Sequence, residues 1–372
     1  MLPQVLEVSL EYKVLHSDQS KLARECRDEV KQLNRRLLKL TSRKDREERR
    51  QVRQEIRYLS REERKRQRSA VDRCLAQSQV VACTLSGAAS FQVTKLPAFD
   101  VVIIDEAAQA TEPSCWSALL RGNRCVLGGD HLQLPPTIIS DKAAKKGLAV
   151  TLFERLHKLH GQDIGQMLLT QYRMNEKIMA WSSEEMYDGK LLAADAVAHA
   201  TLEDLPVLMF IDTAGCDMEE QKEDDGESLR NPGEAEVVMK YVAQLASSGV
   251  PLASIGIITP YSAQVNLLRS LRSDENDRWG FGAASRDLEV STVDGFQGRE
   301  KEVVIISMVR SGPDRQVGFL SENRRMNVAI TRAKKHVVLI GDSETISNDK
   351  FLGRLVAYFD EHADYDSAGS FA

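Results

Sequence analysis

The sequence predicts an α/β fold with parallel sheets, preceded by an antiparallel helical hairpin. Three observations carry this. Residues 18–77 contain neither Gly nor Pro and repeat apolar side chains every three to four positions. From Gln79 onward, short Val/Ile-rich runs alternate with helical stretches. Those runs turn polar at their carboxyl ends, as strands buried on both faces of a parallel sheet do.

In the hairpin, Leu22, Cys26, Val30, Leu33, Leu37 and Leu40 mark the first helix, and Val52, Ile56 and Leu59 the second. Thr41–Asp45 supplies the turn, with Thr41 or Ser42 as cap. The stripe is narrow, so the pair should pack on itself and project from a body. The expected strands are Val80–Leu85 (VVACTL), Phe99–Asp105 (FDVVIID), Arg124–Asp130 (RCVLGGD), Val207–Thr213 (VLMFIDT), Ile255–Ser262 (IGIITPYS), Glu302–Val309 (EVVIISMV) and His336–Asp342 (HVVLIGD), with a helix around Thr151–His160. The acidic stretch Gly215–Glu236, containing Pro232-Gly233, reads as an exposed loop. The resulting division is a hairpin at 1–77, a first α/β lobe at 78–165, a second at 166–365 and a tail at 366–372.

The 372 residues suffice for about two domains. Six scattered Cys without a C-x-x-C pair read as free thiols of a reducing compartment, the cytoplasm or the nucleus. No apolar run approaches the ~20 residues of a membrane span, and the amino-terminal stretch has no secretory pattern. A monomer is the expected state. The net charge of −5 hides an asymmetry: Lys21–Arg73 holds 20 Lys and Arg against 10 Asp and Glu. A basic segment on an acidic body suggests a polyanion contact.

Candidate chemistry lies at the strand ends, where ligands of open α/β sheets bind. Asp105 and Glu106 follow an apolar run. A carboxylate there can hold Mg²⁺, usually through water, and its neighbour can orient or deprotonate an attacking water; an acidic strand cap is the bland alternative. In Gly128–Pro136 (GGDHLQLPP), the glycines permit close backbone approach, Gly129 and Asp130 are cofactor-binding candidates, and Gln133 offers an amide to a phosphate or a water. Arg173 and Arg332 present planar forks suited to phosphoryl oxygens; for Arg332 the rival is a surface arginine beside Lys334 and Lys335. These arginines fall in the second lobe and the carboxylates in the first, which implies a cleft completed when the lobes close. Tyr172 can stack on a base or serve as a core tyrosine. Gly298 allows a tight turn, and Glu300 can accept hydrogen bonds from a ribose. Thr84, Thr259 and Thr292 can donate to nucleic-acid phosphates or act only as caps.

The ordered set DEAAQ, GDHLQLPP, QYRM, ITPYSAQ, STVDGFQGREKE and RRMNVAITRAKKH resembles the motifs of superfamily 1 helicases from motif II to motif VI. It is most similar to the 5′-to-3′ branch with the nonsense-mediated-decay and immunoglobulin-mu-binding-protein-2 (SMUBP) helicases, and the likeness runs from Leu2 to His362. It implies two RecA-like lobes binding ATP–Mg²⁺ between them and single-stranded DNA or RNA across their top. By the same resemblance Asp105 and Glu106 are the Mg²⁺ and water pair, and Gln133 senses the γ-phosphate. Tyr172 stacks on adenine, Glu300 meets the ribose, and Arg173 and Arg332 are arginine fingers. The hairpin looks like the insertion these enzymes carry in their first lobe.

One departure stands out. The family's phosphate loop, G-x-x-x-x-G-K-[ST], is not found in the 372 residues; the Gly189–Lys190 pair is followed by Leu191, with Glu184 in place of the first Gly. The sequence thus reads as an amino-terminally truncated helicase with an incomplete first lobe, inactive in ATP turnover by itself. The alternative is a catalytically silent nucleic-acid-binding or regulatory module.

Overall fold

The computed structural model describes residues 3–223, 228–273 and 277–371. The ends of the hairpin and tail segments, Met1, Leu2 and Ala372, and part of the acidic stretch, 224–227, lie outside the described residues. The chain divides into two compact units, Met1–Gly129 with Ile138–Leu152, and Asp130–Thr137 with Phe153–Ala372. No helix among the described residues is long and apolar enough to cross a membrane.

In the first unit, helices Asp18–Lys39 and Arg46–Ala76 form the antiparallel hairpin. Ion pairs cross between them in descending register, Arg27 with Glu63 at 2.7 Å and Arg36 with Glu48. Ser42 makes the turn: its hydroxyl accepts from the Lys44 amide at 3.3 Å while the Asp45 carboxylate accepts from the Ser42 amide at 2.9 Å. The buried seam is thin, built on Ala23, Val52, Ala70 and Leu75. Cys26, Val30, Leu33 and Leu37 are only half-buried, and Leu22 is exposed.

The rest of this unit holds strand β1 (Val102–Ile104) and strand β2 (Cys125–Leu127), parallel with Ile103 opposite Val126. Ile104 packs inward near Ala107, Ala108 and Cys115, whereas Ile103 is 72% and Val126 54% exposed. The expected strand at Val80–Leu85 does not form. Residues 80–84 are irregular, and Leu85 begins a short helix, Leu85–Ala88, capped by Thr84. A β-branched run becomes a strand only where a neighbour accepts its ladder hydrogen bonds.

In the second unit the strands are β3 (Thr170–Gln171), β4 (Leu192–Ala193), β5 (Leu208–Asp212), β6 (Gln221–Lys222), β7 (Leu229–Arg230), β8 (Ile255–Thr259), β9 (Glu289–Thr292), β10 (Lys301–Ser307), β11 (Ala333–Gly341) and β12 (Asp364–Ser367). Six of them form one parallel sheet in the order β12-β5-β11-β10-β8-β9. Its period-two alternation feeds two cores. Phe210, Ile258, Val304, Ile306, Val337 and Leu339 point to one face, against helices Glu176–Met186, Asn323–Ile330 and Lys350–His362. Ile211, Ile257, Val303, Ile305, Val338 and Ile340 point to the other, against helices Pro232–Ser247 and Ser262–Arg272. Each such side chain contributes about 1.5–3 kcal/mol on burial.

Three boundaries differ from the sequence expectation. Residues 130–137 and 153–165 cluster with the second unit. The segment set apart as a tail continues an edge strand: Asp366 and Ser367 pair with Ile211 and Asp212, and Ala368 is buried. The acidic stretch expected to be a loop contains the antiparallel ribbon β6–β7, and a helix starts at Pro232 inside it.

Candidate active site

In the first unit, β1 delivers Asp105 and Glu106 at its carboxyl end, both exposed. Glu106 adopts a left-handed backbone, φ +53°, a conformation that costs of order 1 kcal/mol or more for a residue other than glycine. The surrounding hydrogen bonds enforce it. Asp105 Oδ1 accepts from the Glu106 amide at 3.0 Å, the Ala107 amide donates to the Gly128 carbonyl at 2.8 Å, and the Gly128 amide donates to the Ile104 carbonyl at 2.8 Å. Gln109 binds the Glu106 carboxylate. Gly129 is required by this closeness, since a Cβ on it would lie 2.9 Å from the Ala108 nitrogen. Asp105, Glu106 and Gly129 are thereby brought together. Thr84 caps its short helix, accepting from the Gly87 amide at 3.0 Å.

In the second unit, Asp130 organises the next part of the same motif. Its carboxylate accepts from the Leu132 amide at 2.9 Å, from Gln133 Nε2 at 2.9 Å and from the Tyr187 hydroxyl at 2.6 Å. Asn327 donates to the Tyr187 oxygen at 2.9 Å and to the Leu132 carbonyl at 3.0 Å. Burial, then the Asp130 carboxylate, push the Tyr187 phenol far above its ordinary pKa, so it remains a donor. Gln133 therefore spends amide donor capacity on Asp130. Burial and the neighbouring His157 hold His131 below the usual imidazole range.

Gln171 shapes the QYRM turn. Its Oε1 accepts from the Arg173 and Met174 amides, each at 2.8 Å, and its Nε2 donates to the Met174 carbonyl at 2.8 Å. The turn leaves Tyr172 75% exposed, which excludes the core-tyrosine alternative. Arg173 Nε meets Glu300 Oε2 at 2.7 Å and Arg173 Nη1 donates to the Thr331 carbonyl at 3.2 Å. Lys334 meets Glu300 Oε1 at 3.0 Å. Arg173 and Lys334 hold the Glu300 carboxyl below its usual range. Glu300, expected to meet a ribose, has each carboxylate oxygen paired with a cation.

Arg332 is buried, which removes the surface-arginine alternative. Its Nε donates to the Val328 carbonyl at 3.0 Å and its Nη2 to the Thr331 hydroxyl at 3.1 Å. Gly298, read as allowing a tight turn, has φ +76°. Thr259 and Thr292 are register partners at the carboxyl ends of β8 and β9. Thr259 is fully buried. Thr292 is half-buried and accepts from the Gly295 amide at 3.1 Å, which leaves its own proton to donate.

Sequence reasoning missed Tyr187 and the roles of Gln171 and Asn327. Gln171 and Asn327 stand inside quoted motifs and could have been weighed there; nothing in the sequence marks Tyr187.

Two family models, each described as an AAA domain, match residues 148–344 and 1–141. DNA-binding protein SMUBP-2 of Rattus norvegicus is 42% identical, over 99% of this chain and 37% of that protein. DNA polymerase alpha-associated DNA helicase A of Schizosaccharomyces pombe is 37% identical, over 98% of this chain and 55% of its own length. A regulator of nonsense transcripts 1 homolog of Neurospora crassa is 37% identical, over 78% and 27% respectively. The chain thus spans 37% of the length of the rat relative. With its ordered motifs and parallel sheets, the chain belongs to the superfamily 1 helicases.

Proposed function

We propose that the protein is an ATP-dependent 5′-to-3′ helicase or translocase on single-stranded DNA or RNA. The observation that carries the reading is the strained turn at Glu106, φ +53°, which fixes two exposed carboxylates at a strand end. A strained backbone beside exposed carboxylates is the kind of outlier that clusters at functional sites.

The ATP-handling roles are assigned residue by residue. Asp105 is a hard oxygen donor suited to Mg²⁺ through water, and the ion, when bound, would neutralise phosphate charge. Glu106 orients or deprotonates the attacking water, aided by its bond from Gln109. Gln133, positioned by Asp130, offers its amide to the γ-phosphate or a water. Arg173, ordered by Glu300, and Arg332, ordered by Val328 and Thr331, stabilise charge on the transferring phosphoryl group. Tyr172 offers an exposed ring to the adenine. Gly129 and Gly298 let the backbone approach, and Thr84 and Thr292 donate to nucleic-acid phosphates.

The relatives carry the words DNA-binding, DNA helicase and nonsense transcripts in their names. The test is strand displacement by a chimaera in which the part of the rat relative preceding its match is fused ahead of this chain. ATP-dependent displacement is expected from a duplex with a 5′ single-stranded tail and not from one with a 3′ tail. The reverse preference overturns the polarity, and no displacement from either overturns the helicase reading.

A further inference from the structure

The two most exposed Phe, Tyr or Trp rings among the described residues of the second unit are Tyr172, 75%, and Phe319, 63%. The first lies in the QYRM turn; the proposed function gives the second no task. An exposed apolar side chain by itself needs no explanation. Phe319 differs in how firmly its loop is held.

Gly318, just before it, has φ +53°, and a Cβ there would collide with the Arg310 guanidinium and lie 2.9 Å from the Tyr261 hydroxyl. Leu320, just after it, is 2% exposed and anchored in the core. The Phe319 carbonyl accepts from Arg325 Nη1 at 3.2 Å, while Arg325 Nε pairs with Asp294 at 3.2 Å. The Phe319 ring lies against Tyr261, centroids 5.9 Å apart and planes inclined by 53°. Arg310, under Gly318, is paired with Glu220 at 2.6 Å. A glycine in a left-handed turn, a buried leucine and an arginine bond to the backbone thus hold the loop that presents an apolar ring to water.

Its location narrows the ligand. Tyr261 follows β8, Arg310 follows β10, and Asp294 follows β9 two residues after Thr292, so the ring sits over the carboxyl edge of the sheet. This is the edge where open α/β sheets bind ligands. A flat, exposed aromatic surface on a held loop there suits a nucleobase, since every base has a π-face and stacking is worth about 1–3 kcal/mol per base. The Arg325 guanidinium, bonded to the Phe319 carbonyl, is of a type that contacts phosphate.

We propose that Phe319 is a stacking platform for one base of a bound single-stranded nucleic acid. The assignment rests on the nucleic-acid reading above and adds the residue and the mode of contact. The test is fluorescence anisotropy of the 372-residue chain with labelled oligo(dT) and oligo(U) over a series of salt concentrations. Phe319→Ala and Phe319→Leu should each weaken binding roughly 5- to 150-fold, and Phe319→Trp should retain it. The slope of log K against log salt should stay as in the wild type, because stacking releases no counterions. A platform for bases ignores the sugar, so both oligonucleotides should lose alike; loss on one alone assigns the platform to that nucleic acid. Wild-type affinity in Phe319→Ala overturns the proposal. A weakened variant with a flatter slope also overturns it, since phosphate contacts would then have been lost. If the wild-type chain binds neither oligonucleotide, the underlying nucleic-acid reading itself falls.

Discussion

Glu234 is the residue whose titration should be most visible in stability. It is fully buried in the first turn of helix Pro232–Ser247. Its carboxyl accepts from the Ser307 hydroxyl at 2.5 Å and from the Val309 amide at 3.0 Å to each oxygen, and it holds Val309 at a left-handed φ of +72°. Burial pushes its pKa up to about 8 from 4.5, and Asp342 adds to the rise. The folded state therefore keeps a proton that the unfolded chain has released, and stability from this group falls as pH rises from about 4.5 to about 8. His336 works oppositely: burial pushes it down to about 4, so its contribution is lost as pH falls below 6.5. The window free of His336 is thus about pH 6.5 to 8, in which Glu234 alone should cost roughly 2 kcal/mol at 1.4 kcal/mol per pH unit. The perturbation is Glu234→Gln, which keeps the shape and removes the titration. Urea midpoints, followed by tryptophan fluorescence, should fall between pH 6.5 and 8 in the wild type and change much less in the variant. Parallel declines in the two proteins would refute the reasoning.

Two further outcomes follow from the same geometry. In the chimaera, Tyr172→Ala should weaken ATP binding by about 1–3 kcal/mol, by analogy with base–aromatic stacking, and Tyr172→Phe should be nearly neutral; a large defect in Tyr172→Phe, measured by nucleotide titration, would show that the hydroxyl acts instead. Reversing Arg64, Lys65, Arg66 and Arg68 to Glu in the hairpin should weaken binding of all single strands and flatten the salt slope by about 0.7 per phosphate contact removed; an unchanged slope would leave these charges to pairs such as Arg66 with Glu62 at 3.5 Å.

The sequence was most informative where one physical requirement dominates. Val303–Ile306 and Val337–Ile340 are unbroken β-branched and aliphatic runs, which only a strand covered on both faces demands. Val80–Leu85 carries a similar run and fails, because pairing depends on a neighbour that local composition does not reveal. The polar edge strand β12, Asp-Tyr-Asp-Ser, escaped for the opposite reason: edges of sheets are often charged. In the site, Asp105 and Glu106 are contiguous at one strand end, whereas Gly129 reaches them only through the pairing of β1 with β2. The Arg173–Glu300 pair joins residues 127 apart, and the burial of Thr259 and Arg332 is set by tertiary packing. Tyr187 reached Asp130 through the fold alone.

Nucleic-acid-stimulated ATP turnover by the chimaera, compared with its Arg332→Ala variant, tests the central claim most directly. If this chain supplies the phosphoryl-stabilising arginine of an ATP-driven motor, the variant should lose about 10³-fold or more in kcat. Circular dichroism must show it folded, since Arg332 also bonds the Val328 carbonyl and the Thr331 hydroxyl. A folded variant with near-wild-type stimulated turnover would contradict the account.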